Sequence, residues 1–246
     1  MKDYAKFHNP LQKINLQDDV SVAAALRKAK LYSKENIFPI ASLQFELTAH
    51  CNMFCKHCYN NSGTVNDRAD AMTPEGWLAF AKYLVDKGGV FECLLSGGEP
   101  LLLGDKLFDL MDVFHDDGSL FMLLTNGYFL TREKARRLKK YRYHWLQISI
   151  DGADAEYHDS FRGLKGSWQK AVDAARFVEE NGIPLKIAHC VTPYNLNAVD
   201  EMCALAFSLG GSEYHCRRAL SQRTSCPKSR LAFIRGATKN SPPKGC

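Results

Sequence analysis

The stretch "SLQFELTAHCNMFCKHCYN", residues 42–60, runs from an apolar segment directly into three cysteines. Its first seven residues, 42–48, read as a strand. Cys51, Cys55 and Cys58 follow with the spacing C-x3-C-x2-C. A disulfide takes two thiols and a closed zinc site takes four ligands, so three cysteines fit neither. Soft thiolates select zinc or iron–sulfur clusters. A cubane cluster has four irons that each take an external ligand, so three protein thiolates leave one iron open. A zinc ion with an open position, held by the same thiolates or joined by His50 and His57, is the competing account. A closed zinc knuckle would need a fourth ligand nearby. The next cysteine, Cys93, falls inside a segment read as a buried strand.

Beyond this stretch the chain alternates short apolar runs with amphipathic ones. "VFECLLS" (90–96), "LFMLLT" (120–125), "WLQISI" (145–150) and "LKIAHCV" (185–191) read as further strands. Helices are expected between and after them. One follows Thr73 and Pro74, and another follows Thr131; both threonines are good N-caps. A third opens at Ser167 and closes at Gly182. The strands are apolar without clean alternation, as expected when both faces are covered. Strand–helix alternation repeated in this way argues a parallel sheet, open or curled into a barrel. Ligands of such sheets sit at the C-terminal ends of the strands. Those ends carry the cysteine loop, "SGGEP" (96–100), "TNG" (125–127), Ser149 with "DG" (151–152), and "TPYN" (192–195).

Composition narrows the function classes. The chain has 246 residues, 46% hydrophobic and 24% charged, and nine cysteines. That suits one globular domain with short extensions. No apolar run reaches the ~18 residues of a membrane span, and no secretory signal is read at the N-terminus. A cytoplasmic, reducing setting is expected, which favours metal or redox roles for the cysteines. The net charge of +5 arises in the tail, where residues 211–246 hold eight Lys/Arg and one Glu. The body is close to neutral, so a nucleic-acid partner is not expected.

The cysteine spacing, the aromatic Tyr59 behind it and "GGEP" after the second strand together resemble the radical S-adenosylmethionine (SAM) superfamily. The resemblance covers about residues 40–210. It implies a partial (β/α)6 barrel. It implies that Cys51, Cys55 and Cys58 hold a [4Fe–4S] cluster whose open iron is chelated by SAM. Reductive cleavage of SAM would give a 5′-deoxyadenosyl radical that abstracts a substrate hydrogen. On this resemblance Glu99 accepts from the SAM ammonium, and Gly97 and Gly98 admit the methionyl group. Ser149 and Asp151 meet the ribose or carboxylate, and Arg162 the carboxylate. Thr125 and Asn126 line the cavity, with Asn195 reaching in from the fifth strand, and Tyr59 packs near the adenine. An electron donor such as a flavodoxin or ferredoxin is implied. Cys93, Cys190 and Cys203 are read as small hydrophobes. His189 and Cys190 must face opposite sides of their strand.

Within the superfamily, "LLTNGYFLT", "ISIDGADAEYHDSFRG" and "WQKAVDAARFVEENG" look most like the branch that modifies peptides and proteins, whose members carry a cysteine-rich SPASM-type extension. Relatives in tetrapyrrole chemistry share these signatures. Three segments are expected: a mostly helical extension (1–40), a radical SAM core (41–210) and a basic, irregular tail (211–246). No sixth strand or helix is read after Gly211. Cys216, Cys226 and Cys246 lack the grouping of the extension, so truncation or a frame change near residue 211 is expected. On that expectation the alternative function is a catalytically impaired metal-binding protein.

Overall fold

The computed structural model describes residues 40–63, 72–211 and 213–218. The helix expected before residue 40 and most of the tail lie outside these residues. β1 (Ile40–Glu46) lies beside β2 (Val90–Ser96), and β3 (Leu120–Thr125), β4 (Tyr143–Ser149) and β5 (Leu185–Val191) follow in chain order. Every neighbouring pair is parallel. The helices are α1 (Pro74–Asp86), α2 (Asp105–Asp116), α3 (Arg132–Leu138), α4 (Ala155–Arg162), α5 (Ser167–Glu180) and α6 (Val199–Ser208). The result is the parallel sheet of alternating strands and helices that the sequence pattern argues, in the partial-barrel form that the resemblance implies.

One expectation is corrected. A sixth strand, β6 (Glu213–Arg218), pairs in parallel with β5, with Ile187 opposite Tyr214 and Val191 opposite Arg218. Its sequence, "EYHCRR", has no apolar run to announce it. Backbone pairing at a sheet edge needs none, because the hydrogen bonds come from the main chain. β1 and β6 are the two edges of the sheet. α4 is also an addition, inserted between β4 and α5.

Alternation within the strands sorts two faces. Leu146, Ile148 and Ile150 are fully buried together with Ala171, Ala174 and Val178 of α5. Their neighbours Gln147 and Ser149 are only half-buried and face the other way, toward the inside of the curved sheet. By the same parity His189 follows Ile187 to the helix side, and Cys190 faces inward. Cys93 belongs to the helix-side core, so it is not a fourth ligand for the cysteine loop. Phe45 of β1 packs against Phe114 of α2 at 5.3 Å and edge-on to Trp77 of α1 at 6.0 Å. Burying a side chain of this size stabilises the fold by about 1.5–3 kcal/mol. The Trp77 indole N–H also donates to the Leu47 carbonyl at 2.9 Å, which fixes the chain where it leaves β1 for the cysteines. Thr73 and Thr131 accept from the amides of Gly76 and Lys134, capping α1 and α3 as expected. Among the described residues, no helix is long and apolar enough to cross a membrane.

Candidate functional site

The cysteine loop is held from two sides by backbone hydrogen bonds. On one side it prolongs the β1–β2 pairing beyond the strands. The Leu47 amide donates to Ser96, Gly98 to Thr48 at 2.5 Å, and Glu99 to His50 at 2.9 Å. Here the glycines are obligatory. A Cβ at Gly98 would lie 2.0 Å from the His50 carbonyl oxygen, and Gly97 adopts φ +128°. On the other side the amides of Phe54 and Lys56 donate to the carbonyls of Arg162 and Phe161, both at 3.1 Å. Those carbonyls are free because α4 ends there, at Gly163 in the left-handed conformation.

Glu99 has no exposed surface. One carboxylate oxygen accepts from the Leu101 amide at 3.1 Å and the Thr125 hydroxyl at 2.6 Å, and the other accepts from the Asn126 amide at 2.7 Å. Burial pushes its pKa above the usual carboxylate range despite these donors and the nearby Arg162. Its first effect is therefore to lock the loop after β2 to the loop after β3. Asn126 in turn reaches the cysteine loop, donating from Nδ2 to Asn52 Oδ1 at 2.9 Å and toward Cys51 Sγ at 3.7 Å.

A second buried knot forms around Asp151, just past β4. Its Oδ2 accepts from Nε and Nη2 of Arg162 at 2.8 and 2.7 Å, and its Oδ1 from the Cys190 amide at 2.7 Å. Its own amide donates to His158 Nδ1 at 3.1 Å, and its carbonyl accepts from Asn195 Nδ2 at 3.2 Å. Burial opposes the charge, but Arg162, then His57 and the Cys190 amide, outweigh it and hold the carboxyl below its usual range. His57 Nε2 stands 3.7 Å from Oδ2. The His57 ring lies flat on Phe161 at 4.6 Å, and Phe161 stacks on Tyr157 at 5.5 Å.

The structure thus gathers the cysteines, Gly97, Gly98, Glu99, Thr125, Asn126, Asp151, Arg162 and Asn195 at the strand ends. Ser149 sits half-buried on the inner face beside them. Tyr59 does not join them. It is 73% exposed and its hydroxyl donates to Glu46 at 3.0 Å. His57, two residues earlier, is the ring of this loop that turns inward. His158 and Tyr157 are the participants that sequence reasoning passed over, and His57, weighed there as a possible zinc ligand, instead faces Asp151.

The donor set fits a cluster. No three His, Cys, Asp or Glu side chains among the described residues converge on one point as ligands of a single ion would. Each corner of a cubane takes its own thiolate, so sulfurs spread along one loop suit it. Burial pushes Cys55 up to about 11 and raises Cys51, while Arg162 pulls both down. Metal binding at these thiols would displace those protons, and Arg162 would steady the resulting negative charge. Asn52 Nδ2 and His57 Nδ1 are buried without hydrogen-bond partners, as atoms beside an absent polar group would be.

Residues 45–206 match the Radical SAM superfamily, and the chain belongs to it. Membership implies a [4Fe–4S] cluster and SAM as cofactors. The chain is 34% identical over 176 residues to an AdoMet-dependent heme synthase of Methanosarcina barkeri (strain Fusaro / DSM 804), covering 70% of this chain and 49% of that protein. It is 36% identical over 176 residues to the mycofactocin maturase MftC of Mycolicibacterium smegmatis, covering 69% and 42%. The chain thus spans about half or less of the length of these curated relatives. Among solved structures, native anSMEcpe with bound AdoMet has a TM-score of 0.65 at 21% identity, over 79% of this chain and 56% of the other. That likeness shows the fold.

Proposed function

We propose that this chain carries the SAM-cleaving core of a radical enzyme that modifies a peptide or protein side chain. The observation that carries the reading is the cysteine loop, sewn by backbone hydrogen bonds to the glycine turn after β2 and to the end of α4. In this reading Cys51, Cys55 and Cys58 hold the cluster. Gly97 and Gly98 give their missing Cβ space to the backbone of Thr48 and His50, so they serve the methionyl site by letting the cysteine loop pack against the turn after β2. The carboxylate of Glu99 retains one lone pair for the SAM ammonium. Arg162 has Nε and Nη2 committed to Asp151, and its Nη1 would be the nitrogen to meet the cofactor's carboxylate. Asp151 acts through Arg162 and the Cys190 amide, because burial and existing donors leave it little capacity for direct contact. Ser149 meets the cofactor from the inner face. A cluster held by these cysteines would supply the one-electron reduction by which SAM is cleaved to a hydrogen-abstracting radical. The surrounding residues bind, orient and exclude water. An external one-electron carrier such as a flavodoxin or ferredoxin feeds the cluster.

Peptide chemistry is supported by the likeness to MftC and to the subtilosin biosynthesis protein AlbA of Bacillus subtilis, at 30% identity. The heme synthase of comparable identity supports a tetrapyrrole as the second reading. Anaerobic reconstitution with iron and sulfide, followed by dithionite and SAM, tests the core activity. Release of 5′-deoxyadenosine is expected. A colourless protein that retains one zinc would overturn it. Mass spectrometry of peptide and porphyrin substrates under the same conditions separates the two substrate readings.

A further inference from the structure

Asn126 is fixed from three directions. Its backbone amide is bound by Glu99 at 2.7 Å, and its Oδ1 accepts from the Tyr128 amide at 2.9 Å. Gly127, at φ +79°, completes the turn with φ outside the comfortable range of other residues. The Tyr128 contact also fixes which end of the amide is which, since a flipped group would set N–H against N–H. Nδ2 is thereby aimed at the cysteine loop with two hydrogens and two acceptors, Asn52 Oδ1 and Cys51 Sγ. Asn126 is 6% exposed, so water does not compete strongly for the second hydrogen.

We propose that Asn126 is a positioning residue that tunes the cluster, its Nδ2–H donating to the sulfur of Cys51 and raising the reduction potential. The inference rests on the reading of Cys51 as a cluster ligand. Ligation removes the thiol proton, so Sγ becomes an acceptor only, and a charged one, which strengthens the bond. Reduction adds an electron that is shared with the ligand sulfurs. A donor to sulfur therefore stabilises the reduced state more than the oxidised one. The link Glu99–Asn126–Cys51 gives the loop after β2 a hold on the potential without touching the metal.

The test is an EPR-monitored redox titration of the anaerobically reconstituted protein. Asn126→Ala and Asn126→Asp move the midpoint to more negative values, and the aspartate moves it further because it adds negative charge. An Asn126→Ala protein with full iron and sulfide and an unchanged midpoint overturns the proposal. Should that variant load poorly, the wild type decides. With 15N-labelled asparagine, the reduced cluster shows a coupling to a side-chain amide nitrogen, and its absence overturns the proposal. A wild-type chain that binds no cluster sinks the functional reading as well. A loaded wild type with insensitive variants sinks this inference alone.

Discussion

Asp151 shows how much rests on single buried groups. Its side chain is 1% exposed, and its counter-ion Arg162 is 9% exposed. Removing one partner strands the other charge in the interior, at a cost of about 3–5 kcal/mol. Asp151→Ala should therefore destabilise by about that amount in urea denaturation. The pair Asp151→Ala/Arg162→Met should lose much less than the two single changes added, because no charge is left alone. Gly98→Ala should cost about 1–3 kcal/mol through overpacking against the His50 carbonyl. Iron content after reconstitution should fall with it, since the displaced backbone is the cysteine loop. A variant with native stability and full iron would refute the close approach described here. The glycines, Glu99 and the cysteines were legible in sequence because the C-x3-C-x2-C spacing and "GGEP", each at a strand end, together resemble a known family. His158 was not, because a lone histidine has no spacing rule. Its role depends on which neighbour its ring meets, and that is decided by α4.

Among the elements, α4 anchors the site. It presents Arg162 and His158 to Asp151, supplies two carbonyls to the cysteine loop, and hands the chain to α5. The hand-over is made by Asp159, which accepts from the Gly166 and Trp168 amides at 2.5 and 2.8 Å and from the Ser167 hydroxyl at 2.9 Å. It thus caps α5 from outside the helix. Asp159→Ala should cost about 0.5–2 kcal/mol, as loss of a cap does, with amide exchange rising first in residues 164–168. If exchange there is unchanged, the cap is not limiting. α4 escaped sequence reading because "AEYHDSFR" is short and mostly polar, with its few buried side chains serving the site. β6 escaped for a related reason. Edge pairing is written in the backbone, whereas apolar periodicity reports only burial.

For the whole molecule, buried titratable groups set the pH range of stability. Burial, with Arg162 nearby, pushes His158 down to about 4. The unfolded chain therefore binds this proton more readily, and stability is lost as pH falls from about 6.5 towards 4. The depressed Asp151 acts in the same direction, losing its contribution as pH falls through its lowered folded value. At the other end burial pushes the Cys93 thiol up to about 12 from 9.0. The folded state holds that proton longer, so stability is lost as pH rises above 9. The melting temperature should form a plateau between about 6.5 and 9, and His158→Gln should flatten the acid limb. An acid limb identical in that variant would remove His158 from the account.

The cysteine loop has a final consequence. Its hydrogen bonds to Thr48, His50, Phe161 and Arg162 involve no sulfur. The ties between the loop and the barrel are therefore made by main-chain groups, independently of the thiols. Clusters with an open iron are vulnerable to oxygen, and a scaffold that collapsed with each loss would be discarded by the cell. Chelation of the iron followed by anaerobic reconstitution should then restore full iron content without a refolding step, and a chelated protein that loses its native circular dichroism would remove that expectation.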